Sequence, residues 1–491
     1  MGSIIVEGFM LKLNISRFEL LSRDDLYRIN NSTLKVLEET GVVFKHKNAL
    51  KIFDEFGAKV DYKTGRVFIP HHLVDEALKK VPKRIVWYAR VDEKSMKIED
   101  GIVNFGGMRT PAFIYDLETG FRRRSTKTDF ENIVKIMDYL ELIDEGYGSV
   151  HIGDVPENLS HLYAILIQIK NTGKPIWGRV RGGNVARDCL NMISMVAGGR
   201  EELMKKPMIA CSINPTSPLQ WDVKMIEGMM EYVKLNQIVI PSSEVMSGAT
   251  GPVTLAGTIV QQNAEILSMI VLIQIINPGN PVLYGTVSTA MDMKTANTRT
   301  GGPELGIMHI ISAQLARMYG IPSRGAAGCT DSKILDVQAG YEAAFNLLLA
   351  VLSGFNFITY ALGGVESSLS VCYEKILTDY EFLNMIKRLV DGVEVSDDTL
   401  AIDLINKVGP GGHFLAQKHT REYHRREHFI PKIFNTQSYD RWFKSEFRDI
   451  RDRAREEVKR ILKEHEPPPI DKTLEKELMD YLKKMEEAYC K

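Results

Sequence analysis

Residues 321–362 read IPSRGAAGCTDSKILDVQAGYEAAFNLLLAVLSGFNFITYAL. A short run ending in small residues, Ser323 to Gly328, precedes a stretch of helical period from about Asp336 to Ser353 that stops at Gly354; a second apolar run, Phe357 to Leu362, follows. Strand, helix and strand in that order form the unit of a parallel sheet. The alternation extends back to Val103, with further strand candidates at Val103 to Gly107, Gly148 to Gly153, Pro175 to Val180, Met208 to Ile213, Ile238 to Ser243 and Val282 to Val287. Eight βα units at fairly even spacing are what a closed barrel needs, whereas a doubly wound sheet usually carries GxGxxG after its first strand. The sequence thus predicts an α/β fold, a (β/α)8 TIM barrel.

The helices between these runs support that reading. Thr128 with Glu131 three residues on forms a predicted capping box, and Phe130, Ile133, Val134, Met137 and Leu140 share one face that must cover a sheet. Pro303 and Glu304 open another helix, which Gly320 stops. Upstream, Ser22 to Thr40 reads as a helix with Ser22 and Asp25 at its start and Gly41 at its end. Downstream, Lys444 to Glu466 is a charged helix stopped by Pro467, Pro468 and Pro469, and Lys472 to Tyr489 forms another. The expected division is 1–100, an N-terminal helical and β-hairpin decoration; 101–393, the barrel; and 394–491, a C-terminal helical extension. Met1 to Phe9 precedes a second methionine, Met10, and is set aside.

The 491 residues are 44% apolar and 25% charged, enough for a large core, and 62 basic residues balance 63 acidic ones. A formal net charge of -1 gives no footprint for nucleic acid. The five cysteines (Cys189, Cys211, Cys329, Cys372 and Cys490) form no CxxC pair, which argues against a disulfide framework or a zinc site and fits a reducing cytoplasm. His71, His72, His413, His419, His424 and His428 lie outside the barrel strands and read as surface or structural residues, so no metal site is expected. The longest apolar run, Ile266 to Ile276, is interrupted by Ser268 and Gln274 and is too short for a bilayer, so no membrane is expected.

Chemistry in a barrel sits at the C-terminal ends of its strands. Those ends bring Arg109, His151, Asp154, Trp177, Arg179, Asn214, Glu244, Asp292, Arg299, Arg324, Asp331 and Tyr360 to one rim, with Tyr284 inside a strand run. No GxSxG elbow is present, and Cys329 reads first as a small buried apolar residue, so no catalytic residue is assigned. The aromatics Trp177, Tyr284 and Tyr360 with the carboxylates Glu244 and Asp331 suit an organic cation, since an aromatic face attracts a quaternary ammonium that has no proton to donate. Asn214, Arg299 and Arg324 are the candidates for the substrate's polar end. The other reading stands beside this one: aromatics fill barrel layers, and Asp154, Asp292 or Asp331 cap helices.

TDSK at Thr330 to Lys333, DVQAGYE at Asp336 to Glu342 and GGHFLAQKHT at Gly411 to Thr420, within long matching stretches at Gly301 to Asn356 and Ala361 to Arg388, give a specific resemblance. The sequence resembles the trimethylamine methyltransferase superfamily in its non-pyrrolysine branch, whose members demethylate quaternary amines such as glycine betaine. The resemblance implies a (β/α)8 barrel that moves a methyl group to the Co(I) corrinoid (cobalamin) of a separate partner protein, as in methylamine and one-carbon metabolism and methanogenesis. It implies no corrinoid bound directly, since no DxHxxG segment occurs here. Betaine-specific relatives carry a His near the end of strand eight and an Arg after strand seven. Here ITYALGG and RGAAGCTD stand at those places, with Tyr360 and Ala327 as departures. These departures count against glycine betaine and leave proline betaine, carnitine, choline or another quaternary amine open. A non-catalytic amine sensor and a barrel lyase or hydrolase that needs no cobalt also stay open. A homo-oligomer is expected from the size of the barrel and its helical tails.

Overall fold

Seven short parallel strands carry the main sheet: β1 Ile102–Phe105, β2 Ile176–Trp177, β3 Ile209–Ile213, β4 Ile238–Ser243, β5 Tyr284–Thr286, β6 Ser323–Ala326 and β7 Phe357–Thr359. The structure, a computed structural model, describes residues 10–445 and 448–489; Met1 to Phe9 and Cys490 lie outside them. The strands pair in the order β2-β3-β4-β5-β6-β7-β1, all in parallel. An antiparallel strand that the sequence reading omitted, Leu11–Lys12, adds to β1 with Leu11 opposite Val103. The result is an eight-stranded sheet in a mixed α/β fold.

One of the eight expected strands is absent. Gly148 to Gly153 has no strand geometry: Ser149 takes a φ of 54°. Asp144 to Gly146 stands between β1 and β2 instead, where the Asp144 N–H donates to Phe105 O (2.8 Å) and the Gly146 N–H to Pro175 O (3.3 Å). Close approach dictates this irregular path, because a Cβ on Gly148 would lie 2.4 Å from Phe130 Cγ and one on Gly146 2.3 Å from Thr172 Cγ2. Phe130 is fully buried and cannot yield cheaply. Gly148→Ala is therefore expected to destabilise the chain by about 1–3 kcal/mol through overpacking, visible as a lower Tm. An unchanged Tm would show that this segment has room.

The helices α1 Lys127–Tyr139, α2 Ser160–Asn171, α3 Gly183–Ala197, α4 Val223–Lys234, α5 Leu255–Ile276, α6 Pro303–Tyr319, α7 Val337–Ser353 and α8 Tyr373–Val390 connect or follow the strands. The predicted apolar face of α1 is buried, but its capping box is Thr126 with Asp129, one turn's edge earlier than Thr128 with Glu131. Either pair satisfies the capping spacing, and the hydrogen bonds choose Thr126. Gly320 and Gly354 end α6 and α7 in the left-handed conformation. Helix α5 spans 22 residues, longer than the apolar run suggested, and by length and composition could cross a membrane; here it lies mostly buried as a core helix. Upstream, Arg23–Lys35 is α-helical with Ser22 as its cap, and Val36–Thr40 continues it as a π-turn. The tail helix occupies Ile450–Glu464, shorter than predicted because Asp449 caps it.

The N-terminal strands Val42–Phe44, Lys59–Asp61 and Arg66–Phe68 form a sheet with Gln220–Trp221, which belongs to the loop after β3. Phe44, Leu190 and, from the last helix, Leu478 and Leu482 share one apolar cluster. The termini are also tied by Asp138, in the last turn of α1, which accepts from Lys94 Nζ (2.8 Å), Thr172 Oγ1 (2.7 Å) and the Gly173 N–H (3.0 Å) and pairs with His465 Nε2 (3.0 Å). Burial pushes its carboxyl up, but the Lys94 and Thr172 hydrogen bonds and the Lys94 and Lys174 charges outweigh that and hold it at about 2. A carboxyl depressed in the folded state stabilises above its unfolded value and loses that contribution as pH falls through the folded one. About 2 kcal/mol is thus expected to disappear between pH 4 and 2, and Asp138→Asn is expected to flatten this part of the pH–stability curve.

Candidate active site

The C-terminal ends of the strands open onto a cavity of about 580 Å3. Its lining includes Arg109 after β1, Tyr147 from the irregular segment, Trp177 on β2, Arg179 and Arg181 just past it, Asn214 after β3, Glu244 after β4, Arg324 on β6 and Tyr360 after β7. A smaller cavity of about 230 Å3 adjoins it, sharing Glu244, Val287 and Tyr360 and otherwise lined by small and hydroxyl-bearing groups such as Ala327 and Ser368 together with Met246, Leu305 and Cys329. Tyr360 stands on the wall common to both, in a left-handed backbone with φ 61°, its N–H donated to Gly107 O (3.0 Å). A non-glycine residue held there stores strain that the surrounding packing must impose.

Of the eight residues singled out from sequence, the structure brings five together on this cavity: Trp177, Asn214, Glu244, Arg324 and Tyr360. Three sit elsewhere. Tyr284 is fully buried on the helix side of the sheet, where its hydroxyl donates to Asn263 of α5 (3.0 Å). Strand alternation explains this: Tyr284 and Thr286 both turn to α5, while Gly285 between them faces the other way. Asp331 accepts from the Thr300 N–H (2.8 Å) and Ser367 Oγ (2.8 Å), which makes it a brace between loops rather than a counter-charge for a ligand. Its neighbour Thr330 donates to Glu342 (2.5 Å), as does the Asp331 N–H (2.8 Å), so much of the conspicuous TDSK and DVQAGYE sequence is spent on locking this loop to α7. Arg299 is partly exposed on a hairpin and faces Glu304 at 3.9 Å.

The cavity's electrostatics depart from an aromatic cation cage. The expected Trp177 face is already taken, since the Arg109 guanidinium lies 3.6 Å from its ring centroid. Arg109, almost fully buried, donates to Glu145 Oε1 (2.5 Å), and its Nε and Nη2 have no partner among the described residues. Arg179 Nε and Nη2 and Arg324 Nε are likewise buried without partners. Burial lowers the Arg324 guanidinium to about 10, still charged at neutral pH; its Nη1 reaches Ser242 Oγ at 3.4 Å, and it lies 5.5 Å from the Tyr360 ring centroid. Buried donors left without acceptors cost stability, and a cluster of cationic ones around a cavity is made for an anion.

One carboxylate, Glu244, faces the same cavity. Asn214 Nδ2 donates to Glu244 Oε1 (2.8 Å) and to Ser242 O (2.9 Å), fixing the carboxyl on the cavity wall. The enclosing protein raises the Glu244 carboxyl, against the lowering pull of Arg324 and Arg181. Burial pushes the Tyr360 hydroxyl up to about 12, so it stays neutral. His309 on α6 orients the strand that carries Arg324: burial lowers its pKa to about 4, its Nδ1–H donates to Leu305 O (2.8 Å), and its Nε2 accepts the Ala326 N–H (3.0 Å). His161, at the start of α2, also lines the cavity, held by Asp188 at 3.1 Å. Asp188 in turn accepts from Tyr481 (2.9 Å) and Tyr489 (2.6 Å) of the last helix.

The family model described as trimethylamine methyltransferase (MTTB) matches residues 7–489. The chain belongs to the trimethylamine methyltransferase family. Within this family it is 37% identical over 470 residues to a glycine betaine methyltransferase of Desulfitobacterium hafniense (strain Y51), covering 95% of this chain and 97% of that one. It is 36% identical to a trimethylamine methyltransferase MttB of Desulfitobacterium hafniense (strain DSM 10664 / DCB-2), covering 99% and 97%. A crystal structure of Methanosarcina barkeri monomethylamine methyltransferase (MtmB) aligns over 93% of this family member and 97% of that chain, with a TM-score of 0.45 and 10% identity. Sequence reasoning had placed Arg109 and Arg179 of this family member on the rim without giving them a role, because the pattern that marks a strand end says nothing about which guanidinium lacks a partner. Glu145 and His161 escaped it altogether: one stands in a segment misread as leading to a strand, the other inside a helix.

Proposed function

We propose that the chain transfers a methyl group from a quaternary amine bearing a carboxylate to a reduced corrinoid on a separate protein. The observation that carries this is the set of buried arginine donors without acceptors, Arg109, Arg179 and Arg324, facing the same cavity as Glu244 and Tyr360. A betaine is a zwitterion, and a cavity with a cationic pole and an acidic, aromatic pole matches both ends. The likeness to a glycine betaine methyltransferase supports the same substrate class. Reduced corrinoid supplies the nucleophile that takes the methyl. The departing tertiary amine is a neutral leaving group, so no acid needs to protonate it, in keeping with a Tyr360 hydroxyl that stays neutral. The residues' work is orientation and exclusion of water: the arginines anchor the carboxylate, and Glu244, fixed by Asn214, and Tyr360 hold the ammonium with one methyl toward the open mouth.

The reading includes a ring closed as a (β/α)8 barrel, with Asp144 to Gly146 filling the gap between β1 and β2. It keeps the division at residues 100 and 393, and a cytoplasmic setting in which Cys189, Cys211, Cys329 and Cys372 stay free thiols. The test mixes the chain with Co(I) corrinoid protein and a panel of glycine betaine, proline betaine, carnitine, choline and trimethylamine. Loss of the Co(I) band is expected with at least one carboxylate-bearing amine and not with choline or trimethylamine. Turnover of choline at a matching rate would overturn the substrate class. Tight binding of a betaine without methyl transfer would turn the reading into that of a sensor, and turnover without cobalt into that of a different barrel enzyme.

A further inference from the structure

The last helix, Lys472–Tyr489, lies outside the barrel and is fastened to it at several points. Leu478 and Leu482 are buried in the core cluster, Lys170 of α2 pairs with Glu475 (2.6 Å), Tyr163 of α2 donates to Glu486 (2.5 Å), and Asn158 Nδ2 donates to the Tyr489 carbonyl (3.0 Å). Two of its hydroxyls reach towards the active cavity. Tyr481 and Tyr489 both donate to Asp188 of α3, 293 and 301 residues upstream, and Asp188 holds His161 of α2. Burial raises the Asp188 carboxyl, but the hydrogen bonds from His161, Tyr489 and Tyr481 outweigh that and keep it below the usual carboxylate range. An ionised carboxylate only accepts, so the proton it meets sits on His161 Nε2, which fixes the ring in one tautomer and one orientation. The ring makes no other hydrogen bond among the described residues.

The ring's place gives it a task. His161 is 4% exposed and lines both the 580 Å3 cavity and a neighbouring cleft of about 720 Å3, which Tyr489, Arg187 and Lys224 also line. His161, Arg181 and Val185 are common to the two spaces. Arg181 is exposed and Val185 half-buried, so the buried, tethered ring is the fixed part of that boundary. Water crossing it would screen the attraction between the arginine donors and an anion in the cavity. We infer that His161 is a partition that keeps the cleft's water out of the active cavity, and that Asp188, Tyr481 and Tyr489 are positioning residues that hold it there, which makes the last helix part of the site. The effect on the amine rests on the function proposed above; the fixing of the ring does not.

Two measurements on the full-length chain test this. In NMR spectra of the histidine ring nitrogens, recorded without ligand, His161 is expected to show a single tautomer protonated at Nε2. The Tyr481→Phe/Tyr489→Phe variant should show exchange between tautomers at His161, while His309, held by its own bonds, stays unchanged. The second measurement is KM and kcat for methyl transfer from glycine betaine, proline betaine and carnitine, taken well below Tm. His161→Gln keeps a donor for Asp188 and loses the ring, and it is expected to raise KM of the amine that is turned over about tenfold with kcat little changed. The tyrosine variant should raise KM by about threefold, and by nothing further when combined with His161→Gln, because the tyrosines act only through the ring. A His161 that keeps its single tautomer in the tyrosine variant, or lacks one in the wild type, would overturn the tether. An unchanged KM in His161→Gln, or additive effects in the combined variant, would overturn the partition. Turnover of none of the three amines would overturn the functional reading and the amine effect with it, while the spectra still decide the tether.

Discussion

Replacing Arg324 by glutamine is expected to weaken binding of a carboxylate-bearing quaternary amine by about a hundredfold or more, with little loss of folding stability. The two halves of that expectation come from one observation. Arg324 is 1% exposed, its Nε lacks a partner, and its remaining contacts are a long hydrogen bond to Ser242 and the Tyr360 ring. A buried charge with no hydrogen-bonded carboxylate, compensated only by the charges of Glu244 and Glu145 at longer range, contributes little to folding, and burial already drags its pKa down to about 10. Its worth appears when an anion arrives. Titration calorimetry with glycine betaine and with choline separates this from general damage: the variant should lose affinity for the betaine and not for the alcohol. Equal losses for both would remove Arg324 from carboxylate recognition.

The alternation of apolar runs and helical periods was legible from residue 103 to residue 362, because strands buried on both faces and helices amphipathic on one leave different periods in sequence. Seven of the eight strand runs hold strands, most of them shorter than the apolar stretch around them. The eighth failed for a reason that no period records: Gly146 and Gly148 look like ordinary strand-flanking glycines, and only the side chains of Thr172 and Phe130 pressing on them show why the path is irregular. The antiparallel Leu11–Lys12 strand is too short to leave a pattern at all. At the site, strand-end logic named Trp177, Asn214, Glu244, Arg324 and Tyr360, which the structure places on one cavity, but did not anticipate that Arg109 covers the Trp177 face. Arg109 and Trp177 belong to different strand ends far apart in the chain, and nothing in the sequence reveals that the arginine covers the ring. Tyr284 was lost to a one-residue question of phase, since a strand sends alternate side chains to opposite faces.

Arg109 should behave in the opposite way to Arg324, and the contrast tests the whole electrostatic account. Arg109→Met is expected to destabilise the chain by about 3–5 kcal/mol, because it strips the counter-charge from Glu145, a fully buried carboxylate. Burial already raises the Glu145 carboxyl above 4.5, while the charge of Arg109 and its hydrogen bond pull it back; without Arg109 only the smaller effects of the Arg324 charge and the Gly107 backbone hydrogen bond oppose burial. The sign of the pH dependence follows. A carboxyl raised in the folded state favours folding in its protonated form, so the variant should lose stability as pH rises from about 4.5, where the unfolded chain begins to ionise, towards neutrality. Protonation at low pH should give part of that loss back. Glu145→Gln in the same chain should return most of it at every pH, since the amide keeps the shape and removes the charge, and the double variant should then be more stable than Arg109→Met alone. Denaturant unfolding of the wild type, both single variants and the double variant closes the cycle, and a coupling energy near zero would mean that the pair at 2.5 Å does not neutralise itself and that the stacking of Arg109 on Trp177 alone holds it in place.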